Sequence, residues 1–202
     1  MINQNTVFAA SGEYSDYQYI CSLLDDLHRQ EYIYDDNHEY GPQSYGKYVA
    51  NLCYKRRGKG DPYLIEGIMA GYKGGERYLG YIDFYGTYLE NNFVLTGFAR
   101  HLCGHILNTR WNPDIELPEA ISIIEECFKA LYARNCQAED NLRIVVINDE
   151  GIRTDAKKYL KFNFLDWKLN GIMRNSSTNL QLSLNNSIYE KWFYTPNFLE
   201  FF

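Results

Sequence analysis

Apolar positions along the first half of the chain change period twice, and the changes mark out the elements. Val7, Phe8, Ala9 and Ala10 make a short apolar run that ends at Ser11-Gly12, which predicts a buried strand closed by a turn. From Glu13 to about Glu31, Tyr17, Ile20, Cys21, Leu24, Leu27 and His28 recur at steps of three and four, the period of an amphipathic helix. A polar loop from Asp35 to Gly41 precedes Pro42, a residue suited to the first turn of a second helix carrying Tyr45, Tyr48, Val49, Leu52 and Cys53. That helix closes on the basic, glycine-broken tail Lys55-Arg56-Arg57-Gly58.

The period then shortens. Tyr63–Tyr72 and Tyr78–Tyr85 read as strands on either side of Lys73-Gly74-Gly75-Glu76, and two glycines at the centre supply the positive φ of a tight hairpin turn. A third strand is expected from about Tyr88 to Leu95, ahead of Thr96-Gly97. Two helical stretches follow, one carrying Phe98, Leu102, Ile106 and Leu107, the other opening at Pro118-Glu119 and carrying Ile121, Ile124, Phe128 and Leu131. Arg143–Asn148 is a strand rich in branched residues, turned toward another strand by Asp149-Glu150-Gly151. Runs of strands and paired helices, without strict alternation, point to α+β layers: a sheet sandwich with a helix pair on each outer face. Near Asn175 the composition breaks, becoming polar to Ser187 and then sharply aromatic to Phe202.

Bulk composition narrows the function classes. The chain has 202 residues, 46% hydrophobic and 23% charged, which suits one buried globular domain. A net charge of −6 gives no electrostatic reason to expect a nucleic-acid partner. No apolar run approaches the ~20 residues of a membrane span, and no secretory signal pattern opens the chain, so a soluble intracellular protein is expected. Five dispersed cysteines (Cys21, Cys53, Cys103, Cys127, Cys136) with no CxxC pair fit a reducing compartment. The surplus of 19 tyrosines suits protein–protein interfaces as well as cores, although an A/T-rich genome would produce the same excess.

Four local words in this order resemble the β-type subunits of the proteasome core particle. Asn5-Thr-Val-Phe-Ala-Ala-Ser-Gly-Glu-Tyr-Ser-Asp16 is similar to the family's third strand and its turn into the first helix. Tyr78-Leu-Gly-Tyr-Ile-Asp-Phe-Tyr-Gly86 resembles the second strand of the central hairpin, and Thr96-Gly97-Phe98 the element that starts the third helix. Glu126-Cys-Phe-Lys-Ala-Leu-Tyr-Ala-Arg-Asn135 is similar to the end of the fourth helix. The wording is nearest the family's non-catalytic seventh β-type branch. The resemblance implies the four-layer αββα sandwich of N-terminal-nucleophile hydrolases over residues 1–170, followed by a C-terminal arm over 171–202. It further implies a cytoplasmic and nuclear protein without cofactor or metal, partnered by other α and β subunits and by neither nucleic acid nor membrane.

Active members of that family use a freed N-terminal threonine as nucleophile, with a lysine nearby and backbone N–H groups for the oxyanion. The two strands bringing threonine and lysine are expected upstream of residue 1. Gly12 matches the oxyanion glycine, although a sharp strand-to-helix turn calls for glycine in any case. Thr96 stands for a supporting serine, and Phe98 for a second serine. Asn135 replaces an aspartate and Ala138 a serine, while Tyr14 occupies a position that is small in active members. Assembly, and not catalysis, is therefore the expected function of this chain. The rivals are an active threonine-type peptidase with its nucleophile upstream and a free-standing binding protein on the same sandwich.

Other candidates are weaker. His101 and His105 have zinc-compatible helical spacing but no acidic residue of an HExxH motif between them, so a surface or interface pair is expected. Lys55-Arg56-Arg57 reads as a solvated helix end, with a patch for an acidic partner as the alternative. Asp25-Asp26 and Asp35-Asp36 read as a solvated rim, and Gly74-Gly75 as turn chemistry, since no GK[ST] follows. Between Ile188 and Phe202, seven of fifteen residues are aromatic: Tyr189, Trp192, Phe193, Tyr194, Phe198, Phe201 and Phe202. These are the interface candidates, expected to dock as an arm on a ring neighbour. Packing on the chain's own open sheet face, or an out-of-frame extension, would account for them otherwise.

Overall fold

The central sheet is built by strict alternation. In the computed structural model, which describes residues 1–34, 39–135, 138, 141–154 and 158–159, β1 (Thr6–Gly12) pairs antiparallel with β2 (Ile65–Lys73). Ile65, Gly67, Met69 and Gly71 of β2 are buried while the residues between them are half-exposed, so one face meets a core and the other does not. β3 (Glu76–Ile82) returns from β2 through Gly74 and Gly75, with φ of 63° and 87°, closed by the pair Lys73 and Glu76. β4 (Tyr88–Glu90) completes the four-stranded order β1-β2-β3-β4. The strand expected to continue to Leu95 stops at Glu90, and Asn91 donates its N–H to Leu79 at 3.1 Å as the last ladder-like bond.

Helices α1 (Tyr14–Tyr34) and α2 (Pro42–Arg57) cover the buried face. Ile20 and Leu24 of α1, with Tyr45, Val49, Ala50 and Cys53 of α2, pack on Phe8, Ile65, Met69 and Ile82. Glycine in β2 makes this possible through space: a Cβ at Gly67 would strike the Phe8 ring, and one at Gly71 would strike Pro42. α2 starts at Pro42 as its sequence predicts, and its last turn carries Lys55, Arg56 and Arg57, the charge sign its C-terminal dipole favours. Two of these cations are engaged: Arg56 pairs with Asp61 at 2.6 Å, and Arg57 lies 5.3 Å over the Tyr54 ring and donates to the Tyr85 carbonyl at 3.4 Å.

The remaining helices form a second apolar cluster. α3 (Ala99–Leu102) and α4 (Gly104–Arg110) replace the single helix expected from the spacing of Phe98, Leu102, Ile106 and Leu107. They break at Cys103, which turns its side chain inward beside Gly104, a poor helix former. α5 (Leu117–Arg134) packs Ile123, Cys127 and Leu131 against Cys103 and Ile106. Beyond it, β5 (Asn141–Leu142) pairs with β8 (Lys158–Tyr159), and β6 (Val145–Asn148) with β7 (Gly151–Thr154), all antiparallel. The β6–β7 turn is held by the Asn148 side chain accepting the Glu150 N–H at 3.1 Å, and β6 lies against β2. The described residues are thus α+β with antiparallel sheets. Among them, no helix is long and apolar enough to cross a membrane.

Candidate functional site at the Gly12 turn

The end of β1 and the start of α1 are clasped by the segment entering β2. Glu13 donates its N–H to the Leu64 carbonyl at 2.8 Å, and Leu64 returns its own N–H to Asp16 Oδ2 at 2.9 Å. Between these bonds Gly12 has φ of 118°, and a Cβ there would meet the Leu64 carbonyl oxygen well inside the 3.0 Å that real Cβ atoms respect. Local packing alone therefore demands glycine. Tyr14 opens α1 half-exposed and stacks on Tyr17 at 6.3 Å, which in turn stacks on Phe8 at 5.8 Å. Burial, with the hydrogen bond its hydroxyl donates to Cys21, pushes the Tyr17 phenol well above its usual range.

Ser11 links this turn to the second segment. A Cβ on Gly97 would lie 3.4 Å from Ser11 Oγ, in ordinary contact. Gly97, at φ of 57°, donates its N–H to Glu66 Oε2 at 3.0 Å. Glu66 also pairs with Arg100 at 3.3 Å, and Arg100 donates to the Tyr81 hydroxyl while its guanidinium lies 4.8 Å over the Tyr81 ring. Burial raises the Tyr81 phenol, and the bond to Tyr81 keeps the Arg100 guanidinium firmly charged. Thr96 and Phe98 flank Gly97, Thr96 half-buried and Phe98 exposed. Ser11 thus lies beside Gly97, which sets the end of β1 next to the Thr96–Phe98 segment.

Asn135 and Ala138 lie at and just beyond the C-terminal end of α5. Asn135 caps α5, donating its N–H to the Leu131 carbonyl at 2.8 Å, and accepts the Ala138 N–H at 3.1 Å. Ala138 packs against the α3–α5 cluster, as do Leu95 and Ala99 on either side of Thr96–Phe98.

Residues 1–147 match the proteasome subunit family. The chain belongs to that family. Its relatives place it among the β-type subunits. It is similar to proteasome subunit beta type-4 of Arabidopsis thaliana, 32% identical over 160 residues covering 79% of this chain and 65% of the relative. It is also similar to probable proteasome subunit beta type-7 of Schizosaccharomyces pombe, 32% identical over 174 residues covering 82% and 66%. Proteasome subunit beta type-7 of Saccharomyces cerevisiae is 29% identical over 177 residues, with the same coverage of 82% and 66%. The chain spans just under two thirds of the length of these relatives.

For a proteasome β-type subunit, the residues the sequence reading overlooked are Glu66, Arg100, Tyr81 and Asp16, which tie the two halves of the turn region together. Glu66 carries a visible signal: a carboxylate in an otherwise apolar strand, out of phase with buried Ile65 and Gly67. His101 and His105 are both exposed and lie on either side of the Cys103 break, on α3 and α4. Among the described residues no group of three or more His, Cys, Asp or Glu side chains is placed to hold a metal ion. Asp25 and Asp26 are exposed, with Asp26 3.7 Å from Arg29. Asp35, Asp36 and the aromatic positions Tyr189, Trp192, Phe193, Tyr194, Phe198, Phe201 and Phe202 lie outside the described residues.

Proposed function

We propose that this chain is a non-catalytic structural subunit of the 20S proteasome β-ring, supporting assembly of a particle whose other subunits cleave peptides. One observation carries the reading. The positions where active members carry an orienting aspartate and serine hold Asn135 and Ala138, and Ala138, without a hydroxyl, packs against the α3–α5 cluster. Phe98 adds a bare aromatic ring where those members have a hydroxyl, and Gly12 owes its identity to the Leu64 carbonyl. Together these leave a turn region knitted by structural hydrogen bonds and short of groups that position a proton.

On this reading the sheets and helix pairs stack in the four-layer αββα order, and the partners are the α and β subunits of a hetero-oligomeric stack of rings in cytoplasm and nucleus. Side-chain complementarity would fix the chain's place in the ring, a role to which exposed tyrosines such as Tyr19, Tyr54 and Tyr85 are suited. Intact mass and N-terminal sequencing of the subunit, purified in its native complex, test the proposal. A start other than threonine, in a complex of proteasome size, is expected. A processed N-terminal threonine that reacts with a peptidase-directed electrophile would overturn it in favour of an active threonine-type peptidase.

A further inference from the structure

Two buried thiols meet at the break between α3 and α4. Cys103 is 1% exposed and Cys127 is 7% exposed. Cys103 occupies the break between α3 and α4, with φ of −110° and ψ of −10°, and Cys127 lies in the third turn of α5. The Cys103 thiol donates to the Cys127 carbonyl at 3.2 Å, which brings the two residues into direct contact. Cys53, the other fully buried thiol, lies in the separate cluster beneath the main sheet. All four cysteines among the described residues are free thiols.

We propose that Cys103 and Cys127 form a redox pair, closing to a disulfide under a peroxide oxidant and thereby stapling the α3–α4 break to α5. Peroxide takes the Cys103 thiolate to a sulfenic acid, releasing hydroxide. The Cys127 sulfur then attacks that sulfenic sulfur, the S–O bond breaks, and water leaves. In sum two thiols lose two protons and two electrons, and one peroxide becomes two waters. The order of attack follows from the surroundings: burial raises both thiols, but the bond from Cys127 and the nearby Arg134 charge offset part of this at Cys103. Burial and then the Cys103 charge and hydrogen bond push Cys127 up to about 12.

Access comes through α3. It is a single turn with no fully buried residue of its own, so it opens locally at little cost and uncovers Cys103. A closed disulfide would hold that turn, and with it the attachment of Thr96–Phe98. Undisturbed, the pair behaves as ordinary core packing, which is the usual fate of buried cysteine.

The full chain, in the assembly in which it purifies, is treated with hydrogen peroxide, then denatured and alkylated. The expected product is lighter by about 2 Da before alkylation, the two hydrogens lost on disulfide closure. A reducible peptide link between Cys103 and Cys127 is expected in its digest. In Cys127→Ser, Cys103 is expected to stop as a sulfenic acid captured by dimedone. Full alkylation of both thiols in wild-type protein whose other cysteines are oxidised would overturn the proposal. So would a Cys103–Cys127 link that forms only after unfolding. The wild-type digest decides even where the variant folds poorly.

Discussion

Replacing Gly12 by alanine separates the two reasons a glycine can occupy this turn. The backbone there has φ of 118°, a conformation that costs a non-glycine residue about 1–3 kcal/mol. The added Cβ also meets the Leu64 carbonyl, a main-chain atom held by the Glu13 N–H on one side and by the Leu64–Asp16 bond on the other. Relieving the overlap means displacing that carbonyl and weakening one bond, a further ~1 kcal/mol. We expect Gly12→Ala to destabilise by about 2–4 kcal/mol in total. Gly60→Ala is the matched control: its φ is 74°, also positive, yet nothing lies within 4 Å of the new Cβ. It should cost about 1 kcal/mol, part of the strain being offset by a stiffer unfolded chain. Urea unfolding of the full-length proteins, read at constant slope, gives both values. If Gly12→Ala costs no more than Gly60→Ala, the Leu64 carbonyl does not dictate the glycine. Its N–H would then need a functional explanation, which would weaken the non-catalytic reading.

Four further outcomes are expected. Fully buried Tyr45 donates to Glu31 Oε2 at 2.7 Å, so Tyr45→Phe should cost about 1–3 kcal/mol in thermal or urea unfolding. Burial alone would raise the Glu31 carboxyl, but bonds from Tyr45, the Tyr40 N–H and His28 outweigh it and hold the group below its usual range. That stabilisation is complete above the ordinary glutamate value, about 4.3, and disappears as pH falls through the lowered one. Acid unfolding below this point should therefore be shallower in Glu31→Gln than in wild type. Met69→Ala, at the centre of the main core, should cost about 2–5 kcal/mol, measured by urea midpoint. Glu66→Ala removes the acceptor of the Gly97 N–H, and hydrogen exchange at that amide should accelerate about fivefold, equivalent to ~1 kcal/mol.

Periodicity revealed the elements that bury one face. β1, α1, α2 and the Gly74–Gly75 hairpin follow from alternation, three-and-four spacing, proline at a helix start and paired glycines. It was less informative where burial is partial. Phe93 and Leu95 extend the apolar pattern beyond β4, but the chain leaves the sheet at Glu90, since pairing depends on a neighbour that pattern does not specify. The α3–α4 break was hidden for the opposite reason: Leu102, Ile106 and Leu107 keep helical spacing across Cys103, and only tertiary packing turns that residue inward. At the candidate site, Gly12, Tyr14, Thr96 and Phe98 could be named from the words they stand in. The Glu66–Arg100–Tyr81 cluster could not, because its members are distant in sequence and meet only when β2, β3 and α3 assemble.

The brevity of β4 has a bearing on solubility. It pairs with β3 only from Gly80 to Ile82, and Asn91 satisfies the Leu79 carbonyl, so the outer edge of Glu76, Arg77 and Tyr78 is left without a strand among the described residues. An open edge of that kind is a template for another chain's backbone, the first step toward cross-β aggregation. Here the open stretch is three residues long and begins with two exposed charges of opposite sign, which an incoming apolar strand would have to desolvate. Glu76 and Arg77 thus act as gatekeepers of this one edge: neutralising both would leave the core untouched while removing the charge that opposes strand pairing there.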